Sequence, residues 1–228
     1  MAQFTYTAFG AGQWGASDAT LGITGYTIED FESTTLVSGL QVGWATVYGD
    51  VTPASTLPFT FDPVAQDTAF GGAFISGVWD GSHALVNTRT NQSFVYGDVG
   101  NWGDVIFNFT TAVTSVGFSV EQMNFEARLV INGVDVGGLA ALTGFPLNGA
   151  QQGYVRIDAS PGNEITSLRI DNGRFAFNDG IAIDHLAFAA IPEPSTAAWW
   201  LALCAGTFGW SRLRTGGGKN QAPAAQRR

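Results

Sequence analysis

Residues 104–121, DVIFNFTTAVTSVGFSVE, alternate apolar and polar side chains with a period of two. Val105, Phe107 and Phe109 fall on one face of an extended chain, and Val116, Phe118 and Val120 on one face of the next. A helix would scatter these six side chains around its circumference, whereas a half-buried strand gathers them. Two strands are predicted here, at 104–109 and 113–120. Downstream, ARLVINGVDV carries Asn132-Gly133 between two apolar runs, and both residues accept the positive φ that a two-residue hairpin turn requires.

Shorter runs of the same kind recur at 26–32, 42–48, 57–61, 83–87, 92–96, 125–131, 153–158, 165–170 and 181–188, separated by Gly, Asn, Asp and Pro. Residues 1–25 are Gly- and Ala-rich and read as weak strands or a loose arm. No run before residue 190 has the period of an amphipathic helix. With 30 glycines, 45% hydrophobic and only 13% charged residues, the chain has enough apolar side chains for a core and many turns. The predicted fold is all-β: a two-sheet antiparallel sandwich of jelly-roll type over 26–190, followed by a C-terminal hydrophobic helix.

Charge is unevenly placed. Residues 1–191 hold 18 acidic residues, five arginines and no lysine, a net charge of -13. Such a domain repels nucleic acid, whose binding rests on neutralised phosphates. It suits cations or plain solubility. The one cysteine, Cys204, lies outside the β domain, which therefore has no disulfide; a bound metal is one candidate for holding its loops.

The predicted metal site is calcium on Asp30, Glu32 and Asp184. Asp30 and Glu32 lie two apart and share a strand face; Asp184 has the opposite parity to Ile181, Ile183 and His185. First and last strands of jelly rolls commonly pair, which would bring three hard oxygen donors together. The alternative is solvated carboxylates on edge strands. In DNGRFAFNDG, residues Asp171, Asn172, Asn178, Asp179 and Gly180 are of calcium-loop type, but without the full loop spacing they read as turn residues.

Trp44, Trp79 and Trp102, with Tyr48 and Tyr96, stand in Gly-rich contexts, and loop aromatics stack on sugar CH faces. The alternative is that they plug the ends of the sandwich. His83 and His185 are the only histidines; Ser82-His83 and Asp184-His185 are sequence neighbours, with no motif of nucleophilic catalysis around them. The chain is predicted not to be an enzyme. A paired-carboxylate glycan hydrolase is the remote alternative.

The C-terminal stretch has three parts: Pro192-Glu193-Pro194-Ser195-Thr196, an uncharged apolar run over 197–210 with Trp199, Trp200 and Trp210 at its ends, and Arg212 and Arg214. The run is short for a stable membrane span, tryptophans sit where an aromatic belt would, and the arginines favour a cytoplasmic end. Two prolines keep Glu193 on an extended segment. This tail resembles the PEP-CTERM sorting signal of exopolysaccharide-producing Gram-negative bacteria. The resemblance implies an exosortase-type membrane protease as partner, cleavage at or near Pro192–Pro194, a transient inner-membrane anchor through 197–210, and delivery to the cell surface or extracellular matrix. Residues 215–228 continue as a basic tail expected to be disordered, and the first residues, MAQFTYTAFGAGQWG, lack the basic and apolar regions of a secretion leader: a trimmed leader or a misassigned start is the favoured reading, and a protein that is not exported is the alternative.

The segments IEDFES, VIFNFTTAVTSVGFSVE and ITSLRIDNGRFAFNDGIAIDHLAF are similar in outline to galactose-binding-like jelly rolls and carbohydrate-binding modules. That resemblance implies a structural calcium, carried best by Glu32 and Asp184, less surely by Asp30. The functional expectation is an exported, non-catalytic matrix or surface protein, with exopolysaccharide as a further partner; a carbohydrate-binding module with a structural calcium is the alternative.

Overall fold

The computed structural model describes residues 3–46, 49–62, 78–87, 103–121, 127–145, 152–172 and 181–190. The chain divides between Ile191 and Pro192, and everything described below belongs to the first unit, Met1–Ile191.

The strands are β1 (Phe4–Gly10), β2 (Thr27–Glu29), β3 (Leu40–Thr46), β4 (Gly49–Ala54), β5 (Leu85–Val86), β6 (Gly103–Glu121), β7 (Arg128–Ile131), β8 (Val134–Gly138), β9 (Gln152–Ala159), β10 (Ile165–Asp171) and β11 (Ala182–Ala190). All pairings are antiparallel. The only helical pieces among the described residues are one 3-10 turn (Ala11–Gln13) and two short α-helices, α1 (Asp18–Leu21) and α2 (Leu139–Thr143). All-β is therefore the class.

The alternating stretch 104–121 forms one strand, not two. β6 runs for 19 residues and changes both its neighbours midway. Residues 103–109 lie between β3 and β10, in the registers Trp44↔Val105 and Leu168↔Phe107. Residues 113–121 lie between β9 and β11, in the registers Val155↔Phe118 and Ile183↔Val120. The switch falls at Thr110 and Thr111, both exposed, where the register with β10 slips. One strand that belongs to both halves joins the described strands into a single eleven-stranded curled sheet rather than two separate ones. Its concave side holds one continuous core, to which β3, β6, β7, β9, β10 and β11 all contribute.

The two halves of β6 differ in cover. In the first half only Val105, Phe107 and Phe109 of the alternating residues are deeply buried beside the glycine and aspartate at its start. In the second half both faces are buried: Val116, Phe118 and Val120 point to the core, and Ser115, Gly117 and Ser119 point the other way beneath further chain. That second cover comes from the first 26 residues. β1 pairs with β9 over its whole length, Phe4↔Ala159 to Gly10↔Gly153, and β2 pairs with β11, Ile28↔Ala187. Residues 11–26 bridge the two across the outer face. Leu21 and Ile23 from this bridge bury with Trp79, Tyr154 and Ala187 in a second, smaller cluster. α1 holds its shape in the bridge because Ser17 caps it and Gly22 ends it at φ 71°.

The Asn-Gly turn forms, with φ 52° at Asn132 and 79° at Gly133. The Asn132 side chain does more than tolerate the turn. Its Oδ1 accepts from the N–H groups of Thr166 (2.8 Å) and Ser167 (3.2 Å), and its Nδ2 donates to the Glu164 carbonyl (2.8 Å), tying the hairpin to β10.

At Gly117 the ring of Tyr154 crosses the strand so closely that a β-carbon would stand 2.5 Å from the phenol oxygen. Gly117→Ala is expected to destabilise the domain by about 1–3 kcal/mol through overpacking. A urea titration measures this, and a loss below about 0.5 kcal/mol would show that Tyr154 moves aside freely.

Candidate functional site

β11 carries a bulge. Asp184 pairs with Ser119 and Ala187 with Gly117, so His185 and Leu186 together face Phe118. His185 absorbs the extra residue at φ 47°, a left-handed conformation that costs a β-carbon-bearing residue about 1 kcal/mol or more. The bulge breaks the alternation. Leu186 turns to the core, while Asp184 and His185 both reach the outer face.

The His185 imidazole is buried there between two carboxylates. Its Nδ1 meets Asp80, and its Nε2 lies 3.0 Å from Asp18 at the start of α1. Trp79 and Tyr154 pack around the ring at centroid distances of 6.2 and 6.0 Å, and the Tyr154 hydroxyl donates to the His185 carbonyl. Burial by itself would lower the His185 pKa, but hydrogen bonding and charge from Asp80 and Asp18 outweigh it and hold the pKa above the ordinary value.

The neighbouring loop, residues 78–83, is gripped from two sides by carboxylates. Asp184, itself buried, accepts through Oδ2 from the N–H groups of Trp79 (2.7 Å) and Asp80 (3.1 Å), and through Oδ1 from His185 N–H (2.7 Å). Glu32 accepts from the N–H groups of Ser82 (2.5 Å) and His83 (2.6 Å) and from the Ser82 hydroxyl (3.0 Å). Gly81 makes the turn between the two grips at φ 64°, and a β-carbon there would collide with the Glu32 carboxylate. Burial pushes Asp184 up, and the charge of Asp80 adds to it, against the N–H donors. Slight desolvation would raise Glu32, but its N–H and hydroxyl donors prevail and set it at about 2.

The sequence-predicted residues fare differently. Glu32 and Asp184 do reach one loop, yet from opposite sides and against N–H donors, whose positive ends disfavour a cation. Asp30 is exposed and accepts from Glu32 N–H (3.2 Å). Phe31 between them has φ 54°, so Asp30 and Glu32 do not share a strand face. Among the described residues no group of three or more His, Cys, Asp and Glu side chains is arranged to hold a metal ion. The set Asp30, Glu32 and Asp184 does not fit calcium here.

Trp44 and Trp79 are not a sugar platform. Trp44 is 2% exposed and donates its indole N–H to the Val86 carbonyl (3.0 Å) inside the core. Trp79 is 9% exposed, wedged between Trp14 (4.9 Å between ring centroids) and Tyr154 (5.2 Å). Both fill space, as large aromatics with one polar atom do. Asp171 and Asn172 belong to a clamp rather than a calcium loop: the Asn172 N–H donates to buried Asp104 (3.0 Å), and Arg169 bridges Asp104 and Asp171. Trp102, Tyr48, Tyr96, Asn178, Asp179, Gly180, Pro192, Glu193, Pro194, Arg212 and Arg214 lie outside the described residues. Among the described residues no helix is long and apolar enough to cross a membrane; the apolar run 197–210 is not among them.

Ser82, His83 and Glu32 assemble in space, as sequence reasoning did not foresee. The Ser82 hydroxyl lies 2.9 Å from His83 Nδ1 and donates to Glu32. The hydroxyl proton faces a carboxylate of pKa about 2, too weak a base to take it. Sequence reasoning also missed Asp18, Asp80, Glu29 and Tyr154. Glu29 is buried and accepts from Phe31 N–H (2.8 Å) and Val37 N–H (2.7 Å), and burial raises its pKa. The signal for Asp18 was the Ser-Asp pair that opens α1, and for Asp80 the Asp-Gly turn.

No family model matches the chain, nor does any curated protein or any solved structure.

The Glu32 grip sets an acid limit. Its folded pKa, about 2, lies below the ordinary 4.5, so its contribution to stability is present above about pH 4.5 and is lost as pH falls towards 2. Glu32→Gln, which keeps one acceptor and loses the charge, is expected to flatten the fall of the urea midpoint over this window. An unchanged acid slope in the variant would remove Glu32 from the account.

Proposed function

We propose that this is an exported, non-catalytic protein of the cell surface or extracellular matrix, sorted by its C-terminal tail and cleaved there by an exosortase-type protease. One observation carries the reading: the order Pro192-Glu193-Pro194, then an uncharged apolar run, then Arg212 and Arg214. The excess of acid over base in residues 1–191 supports it, since such a surface stays soluble and unattached to nucleic acid. A jelly-roll path for the curled sheet belongs to the same reading. Exopolysaccharide is the partner this location would offer. A carbohydrate-binding role would rest on Trp102 rather than on Trp44 or Trp79, which are buried.

The test is made on the full chain in an exosortase-bearing bacterium. The wild-type protein is expected outside the inner membrane, with an intact mass showing cleavage near residues 192–194. Glu193→Ala with Pro194→Ala is expected to leave it full-length and membrane-bound. Full-length wild-type protein in the cytosol would end this reading. Co-purification of the released product with the host's exopolysaccharide would add the glycan partner.

A further inference from the structure

The bridge 11–26 covers the outer face and is anchored at each end by strand pairing, through β1 to β9 and through β2 to β11. Between the anchors, polar side chains tie it to the sheet. Arg156 donates to the carbonyls of Leu21 (2.8 Å) and Gly22 (3.3 Å), and Asp18 meets His185. Beneath the bridge lie Trp79 and Tyr154, and Trp14 of the bridge meets the Trp79 ring edge-on.

We propose that His185 is a proton-dependent latch, holding the bridge 11–26 over the aromatic cluster when the imidazole is charged and releasing it when the proton leaves. The geometry requires a charge. Each ring nitrogen of His185 faces a carboxylate oxygen, Nδ1 that of Asp80 and Nε2 that of Asp18. A carboxylate can only accept, so both nitrogens must donate, and only the imidazolium has two N–H groups. A neutral ring keeps one bond and turns a lone pair on the other carboxylate. The bond to Asp18 is the one that crosses from β11 to the bridge.

The other groups around the ring are these. Asp184 on β11 has its pKa pushed up by burial and by the Asp80 charge, so it gains negative charge only as pH rises; on β9, Tyr154 stays neutral because burial and the Asp18 charge raise its pKa, and Arg156 holds the bridge by carbonyls. Tyr26, at the end of the bridge, faces Tyr154. The latch can reach solvent protons: the ring side chain is 9% exposed, but Asp18 and Asp80 are 43% and 36% exposed. The His185 pKa is raised in the folded state, so the latch holds below the ordinary value of 6.5 and is lost as pH climbs through the folded value. This inference is independent of how the chain is exported.

Hydrogen exchange of the full chain, read by mass spectrometry from about pH 6 to about pH 9 and corrected for intrinsic base catalysis, tests it. Protection of residues 11–26 is expected to fall by about tenfold or more across the window, while β10 stays constant. His185→Asn keeps a residue suited to positive φ and removes the charge. It is expected to show low, flat protection of 11–26 throughout. Asp18→Asn keeps an acceptor without the charge, and is expected to move the fall to lower pH. A flat wild-type profile would overturn the latch, as would a His185→Asn variant that keeps the wild-type profile. Should that variant fail to fold, an unchanged profile in Asp18→Asn would overturn it.

Discussion

The interaction on which this domain depends is the carboxylate that accepts main-chain N–H groups. Eighteen acidic residues share the first 191 positions with five arginines and no lysine, so most carboxylates have no cation to pair with. Peptide dipoles take that place. Glu29 binds the N–H groups of Phe31 and Val37, Glu32 those of Ser82 and His83, Asp184 those of Trp79, Asp80 and His185, and Asp104 that of Asn172. Six of these eight bonds measure 2.5–2.8 Å, and together they satisfy main-chain donors in loops and at the β11 bulge; where the carboxyl is ionised the bond is charge-assisted. The loops are thereby fixed without disulfides. The acidic composition that first suggests cation binding is, at these four positions, a way of holding irregular chain.

This also explains what the sequence could and could not reveal. The alternation in 104–121 shows the strand, its inward face and its core residues, because burial on one side imposes a period of two. It does not show that the two runs are one strand, since the break at Thr110 and Thr111 looks the same whether the chain turns or merely changes partners. Nor does it show that Ser115, Gly117 and Ser119 are covered. Their small, polar character reads as solvent-facing, but here Gly117 makes room for Tyr154, and the Ser115 and Ser119 hydroxyls donate to Asp158 and to the Asp184 carbonyl. β1 is hard to read because Thr, Gly and Ala dilute its aromatics, and its order comes from β9.

At the candidate site, parity arguments fail twice for the same reason. Asp30 and Glu32 were placed on one face, and Asp184 and His185 on opposite faces, by counting along regular strands. A single left-handed residue resets the count in each case: Phe31 at φ 54° and His185 at φ 47°. Neither is a glycine, so nothing in the sequence announces the conformation. The identity of the loop that Glu32 and Asp184 both reach was likewise hidden, because its residues lie 50 and 104–105 positions away and are brought in by tertiary packing.

The strain at His185 gives a measure of what the imidazole contributes. Glycine would take the same bulge without the penalty of about 1 kcal/mol that a β-carbon brings at positive φ. Against that stand two charge-assisted hydrogen bonds, each of about 1.5–3 kcal/mol in typical settings, and the packing of the ring on Trp79 and Tyr154. The balance is most favourable while the ring is charged, because the neutral ring loses one bond, keeps the strain and turns a lone pair on a carboxylate. The bulge therefore makes the outer face sensitive to protonation at the point where three sequence-distant elements meet: α1, the 78–83 loop and β11. Glu32 grips the same loop from the other side and responds to the opposite end of the pH scale. The Glu32 grip on the loop and the His185 ties to Asp80 and Asp18 are in place together only in the interval between the two, where Glu32 is ionised and His185 is still charged.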